Sequence, residues 1–139
     1  MSEQMPRHAF DDHVGELRLR LDAPTLPALF EEAARALAEL SLDRATRPSE
    51  DPVEVVKLTA PDAPTLLVDW LNELVFLSET RKRVYTDVHV TSATETVLEA
   101  EVRGVYPEVV RTAVKAATLN ELTLERGPHG YAATVVLDV

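Results

Sequence analysis

The stretch Phe10-Asp11-Asp12-His13-Val14-Gly15-Glu16-Leu17-Arg18-Leu19-Arg20-Leu21 decides how the chain is read. From Glu16 onward it alternates strictly, with Leu17, Leu19 and Leu21 on one face and Glu16, Arg18 and Arg20 on the other. A period of two predicts a half-buried β-strand, one face on a core and one in water. Asp11, Asp12, His13 and Glu16 crowd the entrance to that strand. Oxygen donors of this kind suit calcium or magnesium, yet taken alone such a cluster is more often the solvated end of a strand.

Downstream, Leu26, Leu29, Phe30, Ala33, Leu37 and Leu40 fall at helical spacing, with Thr25 as N-cap and Pro27 in the first turn. Residues 43–52 are polar, carry two prolines and read as a loop; residues 53–60 read as a strand. Asp62 caps a second helix whose apolar stripe is Leu67, Trp70, Leu71, Leu74 and Ser78. Asp69, Asn72, Glu73 and Phe76 lie away from that stripe, which marks a candidate partner surface. Two strands follow, one alternating Val84, Val88 and Val90 with Tyr85, Asp87 and His89. The other alternates Leu98, Ala100 and Val102 with Val97, Glu99 and Glu101.

Residues 106–118 read as a short helix after Pro107, and the C-terminal segment as a hairpin turning at Gly127-Pro128-His129-Gly130. Residues 1–9 read as a flexible tail. The predicted order is β-α-β-α-β-β-(α)-β-β. It implies a single α+β domain over 1–139, with two main helices packed on a mostly antiparallel or mixed sheet.

A chain of 139 residues matches the usual size of one domain. Absence of cysteine excludes disulfides, cysteine zinc sites and thiol nucleophiles. The formal charge of −10 opposes direct RNA or DNA binding, which collects Lys and Arg against phosphate. No apolar run approaches the roughly 18 residues of a membrane span, and the N-terminus lacks a signal-peptide apolar core, so a soluble cytoplasmic protein is expected. His13 in isolation reads as a turn residue, His8 and His129 as tail and turn, and His89 as the exposed face of a strand. No H-E-x-x-H, G-x-S-x-G or P-loop is present, and a lone Asp-His pair supports a metal-dependent phosphohydrolase only weakly.

Pairing the first alternating strand antiparallel with the last would bring Asp12 and Glu16 beside Asp138 and the α-carboxylate of Val139. Carboxylates converging in this way repel one another unless a cation or an arginine sits among them.

Three signatures together resemble the archease family, the small acidic protein cofactors of RtcB-type RNA-splicing ligases. The N-terminal one is matched by Phe10, Asp12, His13 and Glu16, and the central one by Asp69-Trp70-Leu71-Asn72-Glu73-Leu74. The C-terminal pair is Lys115-Ala116-Ala117-Thr118 and Val135-Val136-Leu137-Asp138-Val139. The resemblance implies a non-enzymatic activator that promotes guanylylation and multiple turnover of an RtcB-type ligase in tRNA splicing and RNA repair. RNA would be reached only through the ligase. It further implies a divalent cation, Ca2+ or Mg2+, held by Asp12, Glu16, Asp138 and Val139. His13, Arg18, Asp69, Asn72, Glu73 and Lys115 are the residues expected to face the partner or serve function.

Departures from the family pattern fall at Glu16, where aspartate is usual, at Arg18, where glycine is usual, and at Leu119-Asn120 in place of Tyr-His. Arg18 shares a face with Glu16, so its guanidinium is a candidate stand-in for the cation. A chaperone-like adaptor on the same fold, with the metal site lost or neutralised by arginine, is the competing expectation.

Overall fold

The computed structural model describes residues 5–13, 15–42, 46–48, 52–107, 110 and 112–139. The alternating stretch forms β2 (Glu16–Ala23), preceded by β1 (Arg7–His13). Helix α1 (Leu26–Ser41) follows, then β3 (Thr46–Pro48) and β4 (Glu54–Thr59), helix α2 (Ala63–Arg81), β5 (Val84–Ala93) and β6 (Val97–Pro107). β7 (Ala116–Gly127) and β8 (Gly130–Asp138) close the chain. One sheet runs β1-β2-β8-β7. In the other, β6 is central, with β5 along one edge and β4 and β3 along the opposite edge. All these pairings are antiparallel, and the two helices pack on them, as the α+β reading requires.

Both helices start where the sequence places their caps. Thr25 Oγ1 accepts a hydrogen bond from the Ala28 N–H at 3.2 Å, and Asp62 Oδ1 accepts from the Thr65 N–H at 2.8 Å. Those bonds satisfy amides that the first helical turn leaves without partners, and the Thr65 hydroxyl together with its N–H holds the Asp62 carboxyl below its usual range. Helix α2 stops at Lys82, whose left-handed φ of 55° lets its N–H return to the Ser78 carbonyl.

The expected stripes are buried except at Leu40 and Ser78, which are partly exposed, and the burial is otherwise wider than either stripe. On α2, Leu66, Val68, Val75 and Leu77 are buried along with Leu67, Trp70, Leu71 and Leu74. Trp70 is fully enclosed, and its indole Nε1–H donates to the Phe30 carbonyl at 2.9 Å. The bond joins α2 to α1 at the centre of the core, and it gives a buried polar atom its partner. Leu98, Ala100 and Val102 are fully buried on β6, as their alternation implies.

Three segments depart from expectation. Arg7–Ala9 belong to β1 and are no tail, because the register Arg7↔Asp22, His8↔Leu21 and Ala9↔Arg20 pairs them with β2. Residues 46–48, expected in a loop, pair with Val105–Pro107 as β3. The helix expected over 106–118 is absent from its described residues: β6 runs to Pro107, the Lys115 N–H bonds the Asp138 carbonyl, and Ala116–Thr118 belong to β7. Residues 108, 109 and 111 lie outside the described residues. The segment is dense in β-branched Val109, Val110, Thr112, Val114 and Thr118, which favour extended chain.

The Trp70 environment yields a stability prediction. Trp70→Phe keeps most of the buried ring but strips the Phe30 carbonyl of its partner, costing about 1–3 kcal/mol. Trp70→Ala adds a cavity and costs about 3–5 kcal/mol. Denaturant unfolding of the two variants reads both values, and a Trp70→Phe loss near zero would mean that the hydrogen bond contributes nothing.

Candidate functional site

The β1–β2 hairpin turns at Gly15, whose φ of 72° is a conformation that glycine adopts without steric cost. Its register sets His13 opposite Glu16 and Asp12 opposite Leu17. β8 then runs antiparallel on the far side of β2, with Asp138 opposite Glu16 and Leu137 opposite Leu17. On the other side of β8, Ala116 faces Asp138 and Ala117 faces Leu137. Two main-chain bonds tie this end together: Val139 N–H to the Gly15 carbonyl at 3.3 Å, and Lys115 N–H to the Asp138 carbonyl at 2.8 Å.

The hairpin turn, the Asp138–Val139 end and the Lys115–Ala116 entry of β7 therefore meet at one end of the strands. Directly opposed residues of an antiparallel pair hold their Cβ atoms about 4.5–5.5 Å apart on one face, and like charges there repel. Glu16 and Asp138 are such a pair, both half-buried.

Asp12 does not share that register row. It lies on the row of Leu17, Leu137 and Ala117, whose members alternate onto the helix-covered face. Among the described residues no three His, Asp or Glu side chains are grouped so as to hold a metal ion. The side chains that register does bring together are Glu16 and Asp138.

Arg18 is engaged elsewhere. It lies opposite Val136, and its guanidinium Nη2 donates to Glu121 Oε2 at 2.8 Å across the width of β8. Glu121 reaches it because β7 bulges: the register jumps from Thr118↔Val136 to Thr123↔Thr134, and Glu121 takes a left-handed φ of 55°. Leu119 and Asn120 are exposed on the same bulge. Arg20, one step along the outer face, pairs with Asp11 at 2.9 Å. The partner that the Arg18 guanidinium finds is thus Glu121 on β7.

Helix α2 supplies the third wall. Asn72 Nδ2–H donates to the Ala117 carbonyl at 3.1 Å, and the Ala117 N–H donates to Asn72 Oδ1 at 2.8 Å. One side chain thus caps both main-chain groups of a residue on an edge strand, groups that would otherwise be open to wrong pairing. Asp69 and Glu73 are half-buried on either side of it, and Phe76 is 57% exposed. Lys115 is exposed beside Asp138.

A separate apolar groove of about 390 Å³ lies between the C-terminal halves of the helices, lined by Leu37, Val75, Val84, Pro107, Val110 and Val114. None of the carboxylate-end residues lines it.

Some functional candidates escape the sequence reading. Glu121 carries no sign of pairing with Arg18, since only the bulge brings it within reach. His8, read as tail, sits on β1 with its ring between Glu32 and Glu39 of α1. The seven-residue spacing of those glutamates, two helical turns on one face, is the signal that was available. His89 is exposed as expected and lies 3.7 Å from Glu31, and His129 is exposed in the β7–β8 turn.

Asn72→Ala removes both bonds to Ala117 and leaves a 5%-exposed residue with unsatisfied main-chain groups. A loss of about 1–3 kcal/mol is expected, with faster amide exchange at Ala117 than at Leu137. Unchanged exchange at Ala117 would show that the clamp does not hold the edge.

Residues 8–139 match the archease protein family (MTH1598/TM1083). The chain is 33% identical to protein archease of Methanosarcina acetivorans, covering 100% of both sequences, and 31% identical to protein archease of Archaeoglobus fulgidus, covering 96% and 99%. Its fold superposes on the solution structure of Methanobacterium thermoautotrophicum protein 1598 with a TM-score of 0.74 and 25% identity, over 95% of this chain and 98% of that one. The crystal structure of an archease, possible chaperone, from Thermotoga maritima shares the fold at a TM-score of 0.64 and 16% identity, over 100% and 99%. The match over residues 8–139, with full-length relatives and the same two-sheet fold, makes this chain a member of the archease family.

Proposed function

We propose that this protein is a non-enzymatic cofactor of an RtcB-type RNA ligase, promoting guanylylation and repeated turnover of that enzyme in tRNA splicing or RNA repair. Family membership supports the reading, and the observation that carries it is the register of β2 on β8, which sets Glu16 against Asp138 at one end of the sheet's central strands. A pair of facing carboxylates is a poor arrangement for stability alone. It suits a hard divalent cation, which takes several oxygen donors, carboxylates among them.

In this reading Glu16, Asp138 and the α-carboxylate of Val139 hold Ca2+ or Mg2+. The Val139-to-Gly15 main-chain bond keeps the last residue beside the hairpin turn. Glu16 reaches one methylene further than an aspartate and adapts to the larger calcium more readily than to the strict octahedron of magnesium. Asp12, on the neighbouring register row, belongs to the rim of the site. The bound cation supplies positive charge at an otherwise acidic end. The chain's own contribution is to hold that end rigid and to present Lys115, His13 and the Asp69–Glu73 face of α2 to the ligase.

Arg18 argues against a neutralised site. Its charge is met by Glu121, so it does not offset Glu16 and Asp138. The chaperone-like alternative draws on the T. maritima relative described as a possible chaperone. It predicts capture of proteins unrelated to RNA ligation. A net charge of −10 makes direct RNA binding weak, so RNA is met through the ligase, in the cytoplasm. No described helix is long and apolar enough to cross a membrane.

Substoichiometric protein added to the ligase of its own host should raise the rate of covalent GMP transfer and the number of turnovers, and no increase over ligase alone would refute the reading. Asp138→Ala, or residues appended after Val139, should abolish activation while melting stays cooperative. Normal activation by the extended protein removes Val139 from the ligand set. Calcium at a hundredfold excess over its Kd should stabilise the fold by about 2.7 kcal/mol. No shift in melting at any calcium or magnesium concentration would remove the cation from the account.

A further inference from the structure

His8 sits on the inner face of edge strand β1, two residues before Phe10, whose ring meets the imidazole edge-on at 5.5 Å between centroids. Its Nδ1 lies 2.6 Å from Glu32 Oε2, and its Nε2 contacts Glu39 Oε2. Glu32 is only 3% exposed, the one charged side chain among the buried described residues, and its other oxygen accepts from Arg35. The imidazole ring is itself largely covered, at 15% side-chain exposure.

An ionised carboxylate only accepts hydrogen bonds, while a neutral imidazole has one donor and one acceptor nitrogen. A ring with a carboxylate on each nitrogen satisfies both only when both nitrogens carry protons. We propose that His8, clamped as imidazolium between Glu32 and Glu39, is a proton-dependent latch that fastens edge strand β1 onto helix α1.

The elements packed against β1 are β2 and α1. From α1 the charged groups facing His8 are Glu32, Glu39 and, through Glu32, Arg35. On β2, Leu21 is its register partner; the flanking Arg20 and Asp22 lie on the outer face, paired with Asp11 and Arg7. Burial pulls the His8 pKa down, but the hydrogen bonds and charges of Glu32 and Glu39 outweigh it, leaving it above the ordinary 6.5. The sign follows. The latch contributes fully below pH 6.5, where both free and latched imidazole are charged, and is lost as pH rises through the raised folded value. Each unit of elevation corresponds to about a tenfold change in the balance between latched and released states.

β1 has one strand partner, β2, and it carries Asp12 and His13 to the carboxylate end. Release would therefore loosen one wall of that end, a consequence that rests on the proposed function, whereas the latch itself does not.

NMR of the full chain tests it without any ligase. The His8 ring resonances should titrate with a midpoint above 6.5, and Glu39→Gln, at an exposed position, should lower that midpoint. Exchange protection of the β1 amides, taken relative to central β8 amides at each pH, should fall through the same midpoint. His8→Gln should make that ratio independent of pH. A midpoint at or below 6.5, a flat ratio across the wild-type titration, or the same pH dependence in His8→Gln would each overturn the proposal. Failure of this test leaves the ligase reading intact, because guanylylation and calcium binding are measured separately.

Discussion

The antiparallel pairing of β2 with β8 is the constraint from which the rest of the molecule follows. It joins the first buried strand to the last across eight register pairs, from Glu16↔Asp138 to Ala23↔Tyr131. Period two then sends Leu17, Leu19 and Leu21 with Leu137, Val135 and Ala133 to the helix side. A shift of one residue would turn that apolar set outward and separate Glu16 from Asp138 at the same stroke. Core and candidate site are thus fixed by a single register, and neither can change alone.

The helices make that register useful. α1 covers β2 and β5, α2 covers β7, and the Trp70–Phe30 bond locks the two together. Asn72 then fastens the beginning of β7 to α2, so that Lys115 and Ala116 arrive beside Asp138. The motif Asp69–Leu74 thereby divides its work: Trp70, Leu71 and Leu74 are core, Asn72 is a clamp, and Asp69 and Glu73 stay half-buried beside it.

Most of this was legible in the residues because it depends on short periods. The leucines of β2, the caps Thr25 and Asp62 and the Gly127–Gly130 turn carry local signals, and the antiparallel ends followed from them. β1 was lost because two of its three inner positions, His8 and Asp12 around Phe10, are polar, and His8 finds its partners in two glutamates two turns apart on α1. The Arg18 pair was lost because alternation assumes unbroken register, and the β7 bulge adds residues there. The three-residue step from Leu119 to Leu122 was its trace in the sequence. The helix expected over 106–118 failed because a helix start after Pro107 was weighed above the extended preference of the β-branched residues.

The central claim is that one register sets Glu16 against Asp138 closely enough to share a cation. A double-mutant cycle with Glu16→Gln and Asp138→Asn measures it on folding stability, first in chelator and then in saturating calcium. In chelator the two charges should couple unfavourably, by about 0.2–1 kcal/mol for directly opposed like charges. In calcium the coupling should change sign, since each carboxylate then supports the other through the ion. Coupling indistinguishable from zero in both conditions would contradict the account.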